Sequence, residues 1–208
     1  MKIYFDGCSN TWGAELAEPE VSRYSRIVSD HFGAEEHNIA MRGGSDKRLL
    51  RNLLETDLSE FDYIILQMTC KNRTEFWSDK KNRWVGIKSF GVNPLSKKQK
   101  LKSSFLWEEE IKRDFKFQID YYKHVYTDKL GNINQLTLYH AMRNVLKDKK
   151  HLIIGINGWG QITKAPVDIN FTNFKRIDCI EYKTAPGGHV NEEGHKTIAR
   201  EIINCISI

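Results

Sequence analysis

Near the start of the chain stands Ile3-Tyr4-Phe5-Asp6-Gly7-Cys8-Ser9, an apolar run that ends in a glycine and a small hydroxyl residue. The apolar run predicts an opening β-strand, and the glycine allows the backbone to turn directly after it. Ser9 is therefore expected just beyond the carboxyl end of the first strand. Open α/β sheets bind their ligands at this edge.

A second informative segment lies far along the chain and reads Gly187-Gly188-His189-Val190-Asn191-Glu192-Glu193-Gly194-His195. It predicts a glycine-rich loop that carries a histidine and leads into a helix. A serine at the sheet edge and a histidine from a late loop are the two halves of a nucleophile–base pair. His195, at the start of the helix, is expected to support the loop rather than to react.

Between these two segments, apolar spacing alternates between strand and helix periods. Strands are predicted over residues 2–6, 36–41, 61–68, 151–156 and 177–182, and helices over residues 21–32, 45–55, 107–126, 134–147 and 191–205. This alternation predicts an α/β fold with three layers, in which helices cover both faces of a parallel sheet of about five strands.

Length and composition predict one domain over residues 1–208, with an insertion at about 71–148 between the third and fourth strands. The chain is 40% hydrophobic and 28% charged. It has no apolar run long enough for a transmembrane helix and no signal-peptide pattern, so a cytoplasmic protein without a membrane partner is expected. The cysteines and histidines lack metal-ligand spacing, so neither a metal nor a cofactor is expected.

Positive charge is concentrated in one segment of the predicted insertion. Residues 71–102 hold ten basic and two acidic residues, a net charge of +8 in a chain of net charge +5. Aromatic residues, among them Trp77 and Trp84, are interleaved with the charges. One interpretation is a solvated loop whose aromatics pack on the core; the other is a lid whose rings stack on sugars or bases. Charge alone does not establish nucleic-acid binding.

Three blocks of the sequence resemble the SGNH/GDSL hydrolases. Gly7-Cys8-Ser9-Asn10-Thr11 is similar to the Gly-Asp-Ser-x-Ser/Thr block, with Ser9 at the nucleophile position and Cys8 in place of Asp. Gly43, in Met41-Arg42-Gly43-Gly44, matches the glycine that donates to the oxyanion. The His189 loop is similar to the last block, Asp-x-x-His, often continued by Pro-Asn-x-x-Gly-His. A divergent subgroup common in bacteriophage genomes is the more similar one.

Two positions depart from the pattern of this family. The third block, Gly-x-Asn, reads Gln67-Met68-Thr69, so Thr69 takes the place of the oxyanion-binding Asn. Pro186 takes the place of the Asp that orients the histidine. A backbone carbonyl, Asp178 or Glu181 are the candidates for orienting His189 instead.

The resemblance implies a flavodoxin-like SGNH fold and an esterase, most plausibly one that removes O-acyl or acetyl groups from a carbohydrate or another polar small molecule. The implied catalytic residues are Ser9, His189, Gly43 and Thr69, and substrate contacts are expected from Asn10, Trp12, Gly44, Arg73, Trp77 and Trp84. The alternative is a catalytically weak SGNH-fold protein that binds a polyanion, nucleotide or host protein through the basic segment. A third hypothesis makes Cys8 the nucleophile.

Overall fold

The computed structural model describes residues 1–87, 108–156, 174–177 and 189–206. The strands are β1 (Lys2–Asp6), β2 (Glu35–Asn38), β3 (Tyr63–Met68), β4 (Thr74–Ser78), β5 (Arg83–Ile87), β6 (His151–Ile156) and β7 (Phe174–Ile177). The helices are α1 (Ser9–Trp12), α2 (Pro19–Ser22), α3 (Tyr24–His31), α4 (Asp46–Glu55), α5 (Glu108–His124), α6 (Asp128–Val145) and α7 (Glu192–Cys205). Among the described helices, none is both long and apolar enough to cross a membrane.

Five strands form one parallel sheet in the order β2-β1-β3-β6-β7. Phe5 of β1 lies opposite Asn38 of β2 on one side and Ile65 of β3 on the other. Because the strands are parallel, the carboxyl ends of β1, β2 and β3 meet at one edge of the sheet. The predicted fold class is confirmed, and so is the fourth predicted strand, which the structure places at His151–Ile156.

Helices cover both faces of this sheet, each over its own buried apolar cluster. On one face α3 packs against α7; its cluster includes Phe5, Val28, Ile154, Ile198 and Ile202. On the other face α4 packs against α6; its cluster includes Tyr4, Leu49, Leu66, Met142 and Ile153. Successive residues of a strand point to opposite faces, which is why Tyr4 and Phe5 belong to different clusters.

Several predicted boundaries were wrong for local reasons. The helix predicted over 21–32 is two helices, because Arg23 is extended and begins α3. The second strand ends at Asn38 rather than at 41, because the Asn38 amide turns the chain by accepting from the Ala40 N–H. The last strand, at Phe174–Ile177, shares one residue with the predicted 177–182; the remainder of that prediction lies outside the described residues.

The predicted irregular stretch after β3 contains a hairpin. β4 and β5 pair antiparallel, with Trp77 opposite Trp84. Its turn includes Asn82 at a φ of 46°, a conformation that asparagine tolerates better than most residues. α6 begins six residues earlier than the predicted helix, because the Thr127 hydroxyl caps it by accepting from the Leu130 N–H.

Candidate active site

Ser9 is the first residue of α1, two residues after the turn that ends β1. Gly7 makes this turn possible: a Cβ there would lie 2.1 Å from the Thr11 hydroxyl oxygen. Gly13, at a φ of 87°, ends the helix after four residues. The first N–H groups of a helix have no partner inside it, so the Ser9 N–H is not used by the hydrogen bonds of α1.

Buried polar side chains around α1 form a hydrogen-bonded network with Gln67 and Tyr24. The Thr11 hydroxyl lies 2.7 Å from both the Gln67 side-chain oxygen and the Tyr24 hydroxyl. The Gln67 amide nitrogen lies 3.3 Å from the Cys8 sulfur. Cys8 has no exposed surface, whereas Ser9 retains some. Of these two neighbouring residues, Ser9 is therefore the more accessible nucleophile.

The Gly43-Gly44 turn lies directly against the turn that precedes Ser9. A Cβ on Gly44 would meet the Gly7 carbonyl oxygen at 2.9 Å, so only glycine allows this approach. Gly43 has a φ of 77°, and the Gly44 N–H donates to the Met41 carbonyl. Within the described part of the chain the Gly43 N–H donates no hydrogen bond. The turn thus brings an available N–H group to the same edge as Ser9.

Thr69 directly follows β3, and hydrogen bonds to its backbone fix its position. Its N–H donates to Asp46 at 2.6 Å, and its carbonyl accepts from the Gln135 amide at 2.9 Å. The Thr69 hydroxyl is buried and lacks a hydrogen-bond partner of good geometry among the described residues. Burial raises the pKa of Asp46 to about 6, although the hydrogen bonds from Thr69 and Gln135 oppose the rise.

Asp6, the last residue of β1, is the centre of an ion pair that the sequence patterns did not reveal. Its buried carboxylate accepts hydrogen bonds at 2.7 Å each from the Gly7 N–H, the Arg48 guanidinium and the Asn52 amide. Arg48 also donates to the Ile39 carbonyl at 2.7 Å. The pair therefore joins β1, α4 and the end of β2 directly beneath the Ser9 turn.

His189 lies at the end of the loop before α7, and its partner is Glu15. The His189 Nδ1 is 2.7 Å from the Glu15 Oε2, with side chains 18% and 24% exposed. No hydrogen bond joins Ser9 to His189 in the described structure; the hydroxyl of Ser9 has the Cys8 sulfur at 3.9 Å. Glu15 was not among the predicted residues, and the predicted candidates Asp178 and Glu181 lie outside the described residues, as does Pro186.

His195, one turn into α7, ties that helix to α3. Its Nδ1 accepts from the Tyr24 N–H at 3.1 Å, and its ring stacks on the Tyr24 ring with centroids 5.8 Å apart. Burial, with a smaller contribution from His189, lowers the pKa of His195 to about 4. His195 is therefore neutral near pH 7, with its proton on Nε2.

The predicted substrate contacts fall into two groups. Near the Ser9 edge, Arg73 is buried with its guanidinium 3.4 Å from the Gly44 carbonyl, and Trp12 is half-exposed with Arg42 over its ring. Asn10 is buried, and its side-chain oxygen lacks a partner among the described residues. Trp77 and Trp84 form an exposed edge-to-face pair on the hairpin. The Arg51 guanidinium of α4 lies over the Trp84 ring. Residues 88–105, which include the rest of the basic segment, lie outside the described residues.

Asp46 and His195 are expected to give opposite pH dependences of stability. Asp46 binds its proton more tightly in the folded than in the unfolded protein. Its contribution to the free energy of unfolding is therefore complete below about pH 4 and is lost as the pH rises through about 6. His195 binds its proton less tightly when folded, so its contribution is full above about pH 6.5 and is lost as the pH falls towards 4.

Single variants separate these two contributions in urea unfolding between pH 4 and 7. The difference in free energy of unfolding between Asp46→Asn and wild type should rise by roughly 3 kcal/mol from pH 4 to pH 7. The corresponding difference for His195→Asn should fall by roughly 3 kcal/mol over the same range. Curves parallel to wild type would show that neither group changes its proton affinity on folding.

No family model matches this chain, and no curated protein matches it. Solved structures do match. One is a lipolytic protein of the G-D-S-L family from Desulfitobacterium hafniense, with a TM-score of 0.50 and 11% identity over 99% of both chains. Another is a catalytic mutant of an acetylxylan esterase from Geobacillus stearothermophilus, with a TM-score of 0.50 and 16% identity over 100% of this chain and 94% of that one.

A third match is a carbohydrate esterase, with a TM-score of 0.55 and 10% identity. The match covers 98% of this chain but 64% of that one, so this chain spans about two thirds of its length. Together these likenesses establish that the chain has the fold of the GDSL/SGNH hydrolases.

Proposed function

We propose that the protein is a serine hydrolase that cleaves esters. The observation that supports the proposal is that Ser9 begins α1 beside the Gly43-Gly44 turn, while Glu15, in the loop after α1, supplies the carboxylate that is hydrogen-bonded to His189. These are the nucleophile, the oxyanion donor and the base of acyl transfer.

In the proposed mechanism the Ser9 hydroxyl oxygen attacks the acyl carbonyl carbon. His189 Nε2 takes the hydroxyl proton and returns it to the leaving alcohol. The N–H groups of Ser9 and Gly43, with the Thr69 hydroxyl, donate to the oxyanion. Water then attacks the acyl-serine, with His189 again as base. Substrate binding is expected to shorten the Ser9–His189 separation, because such bonds are often long in empty sites.

For the substrate we propose an O-acyl group, acetyl in the simplest case, on a carbohydrate or another polar small molecule. Support comes from structures of the same fold that are described as an acetylxylan esterase and a carbohydrate esterase. The exposed Trp77–Trp84 pair offers rings of the kind that stack on sugars. Membership of the phage-type subgroup remains a prediction from the motifs.

A second candidate function is binding without efficient catalysis. It is favoured by the missing Ser9–His189 hydrogen bond and by Thr69, which reaches less far than the asparagine of the family pattern. The ligand would be a polyanion, nucleotide or host protein bound through the basic segment. Binding of a nucleic acid that weakens steeply with salt would support this candidate.

A fluorophosphonate probe tests the hydrolase proposal, because it reacts with activated serines. We expect labelling that maps to the peptide carrying Ser9, disappears in Ser9→Ala and persists in Ser22→Ala, a change at the end of α2. Loss of labelling in Cys8→Ala with retention in Ser9→Ala would assign the reaction to Cys8. No labelling of the folded wild type would favour the binding candidate.

A further inference from the structure

Glu15 and His189 are 174 positions apart in sequence, yet their side chains form a hydrogen bond of 2.7 Å. Both side chains are partly exposed, and a hydrogen bond to an ionised carboxylate is shorter and stronger than one between neutral groups. Of the described residues, Glu15 alone makes a hydrogen bond to the His189 ring. The sequence position that holds the orienting acid in the resembled family is Pro186, which cannot supply a carboxylate.

The chemistry of the contact fixes the position of a proton. An ionised carboxylate can only accept hydrogen bonds, so the contact requires the proton on His189 Nδ1. The lone pair then lies on Nε2, which is the nitrogen that a general base uses. We propose that Glu15 holds His189 in this tautomer and so replaces the missing orienting acid from the other end of the chain. Its catalytic consequence rests on the proposed hydrolase function.

The backbone around Glu15 places its carboxylate relative to Ser9. Glu15 has a φ of 69°, an uncommon conformation for a residue other than glycine. The preceding Ala14 N–H donates to the Ser9 carbonyl at 2.8 Å. Such conformations persist where the surroundings impose them, and they cluster at functional sites. The loop that carries the nucleophile thus also carries the acid that orients the base.

The neighbouring residue His195 does not compete with Glu15 for the His189 ring. His195 lies close enough to affect His189 electrostatically, but burial lowers the pKa of His195 to about 4, so it is neutral near pH 7. Its Nδ1 is an acceptor for the Tyr24 N–H, so its proton is on Nε2. The two histidines are therefore expected in opposite tautomers, and His195 serves as an internal reference for His189.

Nitrogen-15 NMR of histidine-labelled full-length protein at pH 8 reads the tautomers directly. In wild type we expect Nδ1–H for His189 and Nε2–H for His195. In Glu15→Gln the His189 signals should shift towards Nε2–H or a mixture, because the glutamine amide can donate to Nδ1. The His195 signals should not move, which excludes a general loss of structure. Nε2–H for His189 in wild type, or an unchanged His189 in Glu15→Gln, would overturn the proposal.

Hydrolysis of p-nitrophenyl acetate gives the catalytic readout. Glu15→Gln should lower kcat by a factor of about 10² to 10³, with KM little changed; removing the orienting acid costs up to about 10⁴ in well-studied triads, and this pair is partly solvated. Glu15→Asp, which tolerates the backbone conformation, should recover part of the loss. Glu18→Gln removes the same charge three residues away and should stay within about twofold of wild type.

The two readouts separate this inference from the proposed function. If wild type neither hydrolyses the ester nor reacts with the fluorophosphonate, the hydrolase proposal fails, while a tautomer change in Glu15→Gln still supports the contact. If wild type is active and Glu15→Gln is equally active, the orienting role fails and the hydrolase proposal stands.

Discussion

Ser9→Ala should lower kcat/KM for p-nitrophenyl acetate by a factor on the order of 10³ or more, because it removes the hydroxyl that is proposed to attack the acyl carbonyl. Cys8, the neighbouring nucleophilic residue, is fully buried against Gln67. His189→Ala should cause a comparable loss, because without the base the serine keeps its proton at neutral pH. Steady-state kinetics of the purified, folded variants provides the measurement.

The double variant makes this prediction specific. When two residues act together in one step, removing either one already abolishes their joint effect on the rate. The kcat/KM of Ser9→Ala/His189→Ala should therefore lie within about threefold of that of Ser9→Ala alone. Ser22→Ala, at the end of α2, should match wild type. Multiplicative losses in the double variant would show that the two residues act independently. Equal rates in all variants would leave the binding candidate as the better account of the site.

Local patterns were sufficient to predict the fold because the central strands of the sheet and the helices that cover it carry their own signals. β1 and β6 each contain a run of apolar residues, and both strands are buried almost throughout. The Gly7 and Gly43 turns were predictable because backbone geometry excludes larger side chains there. Signals within a few residues of one another were therefore sufficient to predict the parallel sheet with helices on both faces and the position of Ser9 directly after the first strand.

The polar contacts of the site were not predictable in this way. The predicted partners of His189, Asp178 and Glu181, are near it in sequence and lie outside the described residues, whereas the partner that the structure shows, Glu15, is 174 positions away. Glu15 is a single glutamate in a short loop, and neither a periodic pattern nor a motif around it indicates a functional role. The hairpin was missed for a related reason: its exposed tryptophans and lysines give no alternation of apolar and polar residues, so pairing between Trp77 and Trp84 was invisible.

Arg48→Met should lower the free energy of unfolding by about 3 to 5 kcal/mol, because it leaves the Asp6 carboxylate buried without its counter-charge. The Asp6 side chain has no exposed surface, and burial already raises its pKa against the opposing effect of Arg48. The Gly7 N–H and the Asn52 amide remain as donors, but neither carries a charge. Urea unfolding at pH 7 measures the loss.

The companion variants test whether the buried charge is the cause. Asp6→Asn/Arg48→Met removes both charges and should recover much of the stability, since replacing a buried pair with neutral residues is often tolerated. Lys196→Met breaks an exposed pair with Glu192 and Glu193 and should change stability little. An Arg48→Met loss as small as that of Lys196→Met would contradict the prediction. Because Arg48 also holds the Ile39 carbonyl, the same variant should loosen the Ser9 turn and reduce fluorophosphonate labelling before global unfolding.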